Sequence, residues 1–99
     1  MKLIVAIVRP FKVDEIITAF EAIEGFPGMT VTNSEGFGRR FGTALYDSLD
    51  PFMPGKRLEI AANDELVDQI VAAIKQRAHT GRKGDGLIVV LNIENALLI

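Results

Sequence analysis

Lys2-Leu3-Ile4-Val5-Ala6-Ile7-Val8-Arg9-Pro10 decides how the rest of the chain is read. The run from Lys2 to Val8 is rich in Ile and Val, lacks alternation and is too short for a helix. It has the pattern of a strand covered on both faces. Pro10 has no N–H for a ladder and stops it. Val13, Ile16, Ile17, Phe20 and Ile23 then recur at helical spacing, with Asp14, Glu15, Glu21 and Glu24 on the other side. Asp14 and Glu15 fall in the first turn, where negative charge suits the helix dipole. Gly25-Phe26-Pro27-Gly28 ends that helix and turns the chain.

The same sequence of events then repeats with strand, helix and strand. Met29 to Ser34 alternates apolar and polar residues, the period of a half-buried strand. From Gly36 to Gly55 no period survives, and a segment of that length in a small domain is usually a functional loop. Lys56 to Ala62 alternates again and reads as a strand antiparallel to the second. Asn63-Asp64-Glu65 opens a second helix whose apolar face is Leu66, Val67, Ile70, Val71 and Ile74. Lys75 and Arg77 lie near its C-terminal end, and Gly81 ends it. Thr80 to Gly86 is a polar, glycine-rich loop. Leu87 to Ile93 reads as another strand buried on both faces, and Asn95 to Ile99 as a short apolar tail.

This order predicts one α+β domain over residues 1–99: a ferredoxin-like βαββαβ sandwich, with a four-stranded antiparallel sheet and two helices on one face. The helix-free face needs a cover. The chain is 48% apolar with a mean hydropathy of +0.25, a surplus that a 99-residue domain does not fully bury alone. Three sheets meeting around an axis would cover it, so a homotrimer is expected.

Composition removes several functions. The 11 Lys+Arg and 13 Asp+Glu give a net charge of −2, against binding to nucleic acid by bulk electrostatics. No apolar run approaches the ~20 residues of a membrane span, and the N-terminal stretch is no signal peptide, so the expected location is the cytoplasm without membrane insertion. There is no cysteine, and His79 is the sole histidine; it reads as a capping group of the second helix, and no metal is expected. The carboxylates lie mostly on solvent faces of helices and no nucleophile–base arrangement stands out. The central strands, Leu3 to Val8 and Leu58 to Ala62, lack the aromatics on which RNA-recognition modules stack bases.

Two loops carry the remaining chemistry. Gly36-Phe37-Gly38-Arg39-Arg40 leaves the second strand, and Thr80-Gly81-Arg82-Lys83-Gly84-Asp85-Gly86 precedes the last one. Glycines allow successive backbone N–H groups to converge on an anion, and neighbouring arginines add charge-assisted bonds. Neither is a Rossmann fingerprint or a P-loop.

These two loops, together with Arg9-Pro10-Phe11-Lys12 and Gly28-Met29-Thr30-Val31-Thr32, resemble in order and spacing the signatures of the PII signalling proteins. The resemblance runs from Met1 to about Ile93. It implies a cytoplasmic homotrimer that binds an adenine nucleotide in each inter-subunit cleft. It also implies that a long T-loop, here residues 40–55, docks on a transporter or regulated enzyme. By motif, Thr30 would contact the adenine. Gly36, Gly38, Arg39 and Arg40 would line one wall of the cleft, and Arg82, Gly84, Asp85 and Gly86 the other. Thr43, Tyr46, Asp47 and Phe52 would serve partner docking.

Five departures refine this. Arg40 replaces the family's glutamine that helps hold magnesium and 2-oxoglutarate, and Gly55 replaces a lysine that binds the same oxoacid. Leu87 follows Gly-Asp-Gly where the family has a basic residue for the outer phosphates. The tail Leu97-Leu98-Ile99 lacks the family's arginine pair, and the loop is shorter. The expected function is therefore a non-catalytic, PII-like sensor of a divergent branch, favouring ADP or AMP over ATP, with bicarbonate as a candidate second effector. One alternative is a nitrogen regulator sensing ATP and 2-oxoglutarate. Another is a small ferredoxin-like enzyme of acylphosphatase type, which would need a phosphate-cradling loop that is missing between Val8 and Phe11.

Overall fold

A computed structural model describes residues 1–38 and 51–99. The elements are β1 (Lys2–Val8), α1 (Val13–Glu21), β2 (Thr30–Gly36), β3 (Met53–Ala62), α2 (Asp64–Ala78) and β4 (Gly86–Asn92). Four strands form one antiparallel sheet in the order β2-β3-β1-β4. The α+β ferredoxin-like sandwich read from the sequence is the fold of this chain.

The core follows from strand alternation meeting helical periodicity. Ile4, Ala6 and Val8 of β1 and Leu58, Ile60 and Ala62 of β3 face the helices, where they meet Ile16 and Phe20 of α1 and Ile70, Ile74 and Ala78 of α2. Each isoleucine buried here contributes roughly 1.5–3 kcal/mol. Phe20 stacks on Phe26 at 4.4 Å between ring centroids, which ties the turn after α1 to the core. Gly25 and Gly28 bracket that turn with φ of 78° and 120°, backbone that favours glycine.

Several boundaries move. A 3₁₀ turn, Pro10–Lys12, precedes α1. α2 stops at Ala78 rather than at Gly81. β3 begins at Met53, three residues earlier than the Lys56 expected. Met53, Pro54 and Gly55 pair with Gly36, Glu35 and Ser34 of β2, so the part of the expected 40–55 loop from Met53 onward belongs to the sheet. Pro54 suggests a loop in sequence. It is tolerated because β1 pairs with β3 only as far as Lys56, leaving Pro54 a ladder neighbour on one side alone.

The expectation that β4 is buried on both faces does not hold for the single chain. Among the described residues β4 is an edge strand, paired only with β1. Leu87, Val89 and Leu91 stand opposite Ile7, Val5 and Leu3 on the face away from the helices, and Val89 and Leu91 are 38% and 46% exposed. Only Ile88 of β4 packs against the core. Among the described residues no helix is long and apolar enough to cross a membrane.

Candidate functional site

The register of the sheet gathers the sequence motifs at one end. Val8 closes β1 opposite Lys56 on β3 and Gly86 on β4, while Gly36 closes β2 opposite Met53. A small cleft forms there, lined by Arg9, Ser34, Gly36, Gly55, Gly84, Asp85 and Gly86 among others. Glycine is required by the close approach of backbones. A Cβ on Gly86 would overlap the carbonyl oxygen of Ile7, and φ there is +151°. A Cβ on Gly55 would sit 2.8 Å from Ser34 Oγ and 3.3 Å from the Val8 carbonyl oxygen. Ser34 Oγ itself is buried, with no hydrogen-bond partner among the described residues.

The loop from Thr80 to Gly86 is organised by one carboxylate. Asp85 Oδ2 accepts the backbone N–H of Thr80 at 2.7 Å and of Gly81 at 3.0 Å. Asp85 Oδ1 accepts the Thr80 hydroxyl and Arg9 Nε at 3.2 Å. Thr80 Oγ1 in turn accepts the N–H of Arg82 at 3.2 Å. Gly81 and Gly84 take φ of 85° and 90°, which lets so short a segment fold back on its own aspartate. The Thr80 hydroxyl and backbone N–H, with further help from Gly81 and Arg9, hold the Asp85 carboxyl far below the usual carboxylate range, against the opposing effect of desolvation. His79 occupies the C-cap position of α2, with Nδ1 3.7 Å from Asp85 Oδ2.

The described residues named from sequence do not all meet in one place. Gly36, Gly84, Asp85 and Gly86 meet in the cleft; Gly38 with φ +109° and Arg82 lie in the loops that leave and enter it. Thr30 does not join them. It begins β2 opposite Glu59, six residues from Gly36 and therefore about 20 Å away along the strand. Arg39, Arg40, Thr43, Tyr46 and Asp47 lie outside the described residues. Phe52, 48% exposed, meets Phe37 edge to face with centroids 5.7 Å apart, so an aromatic pair stands at the foot of the 40–55 segment.

Arg9 was absent from the sequence-derived site. Its guanidinium donates from Nε to Asp85 and from Nη2 to the Lys83 carbonyl oxygen at 2.9 Å. The available clue was Arg9-Pro10, quoted above for its resemblance. Nothing local, however, tells that β1 ends beside the 80–86 loop. Among the described residues no group of three or more His, Asp or Glu side chains is placed to hold a metal.

A ferredoxin-like sandwich with a glycine-lined cleft where the 80–86 loop meets the ends of β1 and β2 defines the class: a small α+β protein. Comparison with known proteins is specific. The family model for nitrogen regulatory protein P-II matches residues 1–99. The nitrogen regulatory protein P-II of Bradyrhizobium diazoefficiens is 46% identical over 103 aligned residues, covering 100% of this chain and 91% of that protein. Those of Azospirillum brasilense and Haemophilus influenzae are each 44% identical with the same coverage. The chain belongs to the P-II family; it is a signal-transduction protein and not an enzyme.

Proposed function

We propose that this protein is a cytoplasmic homotrimer that binds an adenine nucleotide, ADP or AMP in preference to ATP, in clefts between subunits. The bound state passes to a transporter or regulated enzyme through the segment 40–55. The observation that carries this reading is the meeting of Gly36 with Gly84 and Gly86 in one cleft at the foot of that segment. Arg82 and Lys83 stand on the same loop, and their cations suit phosphate. Because Thr30 is about 20 Å from Gly36 along β2, a site that uses both must take Thr30 from a neighbouring copy, which supports the inter-subunit arrangement. Arg39 and Arg40 complete one wall in this reading, and Thr43, Tyr46, Asp47 and Phe52 face the partner. Leu87 offers the outer phosphates no cation, so ATP gains little over ADP. Arg40 is an anion hook for bicarbonate.

A second reading is favoured by the names of the relatives at 44–46% identity: a nitrogen regulator responding to ATP and 2-oxoglutarate. Arg40 has no acceptor atom with which to ligate magnesium, and a Cβ on Gly55 would crowd Ser34 and the Val8 carbonyl, so no longer side chain fits there without rearrangement. Calorimetry with AMP, ADP and ATP, each with and without magnesium, bicarbonate and 2-oxoglutarate, separates the two. The expected result is binding of ADP and AMP, with ATP less than about tenfold tighter, a gap of ~1.4 kcal/mol. Magnesium-dependent synergy between ATP and 2-oxoglutarate would establish the nitrogen-sensor reading instead, and silence with every nucleotide would end both.

A further inference from the structure

An aspartate in a loop offered to phosphate needs explaining, because a free carboxylate there repels the ligand. Asp85 is not free. Four donors occupy its two oxygens: the Thr80 and Gly81 N–H groups, the Thr80 hydroxyl and Arg9 Nε. Arg9 is equally committed. Its fork spans Asp85 and the Lys83 carbonyl, and both side chains are largely covered, at 17% and 19% exposure. The backbone that presents Arg9 is also constrained. It is extended, at φ −67° and ψ 139°, as the residue before a proline prefers, and its carbonyl accepts the N–H of Lys12 at 3.0 Å.

We propose that Arg9 and Asp85 are one positioning pair, which locks the 80–86 loop to the end of β1 and so sets its affinity for nucleotide phosphate, neither side chain touching the ligand. The inference rests on the nucleotide reading above and adds to it a role for Arg9 and a different role for Asp85. Three attachments hold the loop: Asp85 ties its start, at Thr80 and Gly81, to its end; Arg9 Nε grips that carboxylate; Arg9 Nη2 grips the carbonyl of Lys83. A loop held this way loses little conformational freedom when an anion arrives, and that is what raises affinity. Lysine has a single ammonium in place of the planar fork, so it can keep the charge but not both contacts in this geometry.

The test is ADP calorimetry on the unmodified protein, Arg9→Ala, Asp85→Asn, the double variant and Arg9→Lys, with amide hydrogen exchange on each. Each single loss should weaken ADP about tenfold or more, and the double variant should be no weaker than the worse single one, since both changes release the same lock. Arg9→Lys should recover part of the affinity. Exchange at the Thr80 and Gly81 amides should quicken in Arg9→Ala while that of α2 core amides, such as Ile70, stays as it was. Additive losses would show two independent ligand contacts and overturn the pair. So would unchanged affinity in Arg9→Ala. If the unmodified protein bound no ADP, the nucleotide reading would fail by itself; quickened exchange at Thr80 and Gly81 would still uphold the lock, and unchanged exchange would overturn it.

Discussion

Gly86 and Asp85 are neighbours with opposite kinds of constraint. At Gly86 the constraint is space. The first residue of β4 passes so close to β1 that any Cβ would meet the Ile7 carbonyl oxygen, in a backbone region that side chains rarely adopt. Gly86→Ala should cost roughly 1–3 kcal/mol, read as a lower urea midpoint, and an unchanged midpoint would mean that the strands can part there freely. At Asp85 the constraint is charge. Its carboxyl titrates below the ~3.9 of an unfolded aspartate, so the stabilisation it supplies is complete above that value and is lost as pH falls towards the folded one. Urea midpoints taken from pH 5 down to pH 2 should fall more steeply for the unmodified protein than for Asp85→Asn. Equal slopes would mean that the carboxylate is not held by its donors.

At the scale of elements, α2 joins the core to the site. Ile70 and Ile74 are fully buried on its inner face, and its C-terminal end delivers His79 and Thr80 to the loop. Ile74→Ala should destabilise the fold by about 2–5 kcal/mol, measured by thermal unfolding; a loss well below that would indicate that β1 and β3 close over the cavity. The periodicity of α1 and α2 was legible because a helix repeats its buried face within the sequence itself. The start of β3 was not. Met53-Pro54-Gly55 looks like a loop, and only the absence of β1 beside it makes a proline acceptable in that strand. The exposure of β4 was hidden for a related reason: a continuous apolar run says that both faces shun water, and does not say which chain covers them.

For the whole molecule, the helix-free face of the sheet is the surface that bears on assembly. Leu3, Val5 and Ile7 stand beside Leu91, Val89 and Leu87 on it, bordered on β3 by the Arg57–Glu59 ion pair at 2.9 Å. Val5 is buried beneath its neighbours, while Val89 and Leu91 stay open to water, and apolar strand residues left open in this way are an association surface. In the proposed trimer this face lies between subunits. A carboxylate in its centre would then be buried without a partner, so Val89→Asp should lower the sedimenting mass from about three chain masses towards one. Retention of the assembly by that variant would place the contact on another surface.

The sequence by itself determined the order of elements, the two apolar helix faces, the central strands and the two glycine-rich loops. All of these are encoded in residues within a turn or two of one another. What only the tertiary structure decided is which of those residues meet. Arg9 and Asp85 are 76 positions apart, and their contact depends on Val8 pairing with Gly86 rather than with a neighbour one step along. The approach of Ser34 to residue 55, which leaves no room for a Cβ there, depends likewise on the register of β2 against β3. A one-residue slip in either ladder would move each of these side chains to the opposite face of the sheet. Register is selected by the burial of a whole face at once, so it is a property of the packed sheet and not of any single stretch of chain.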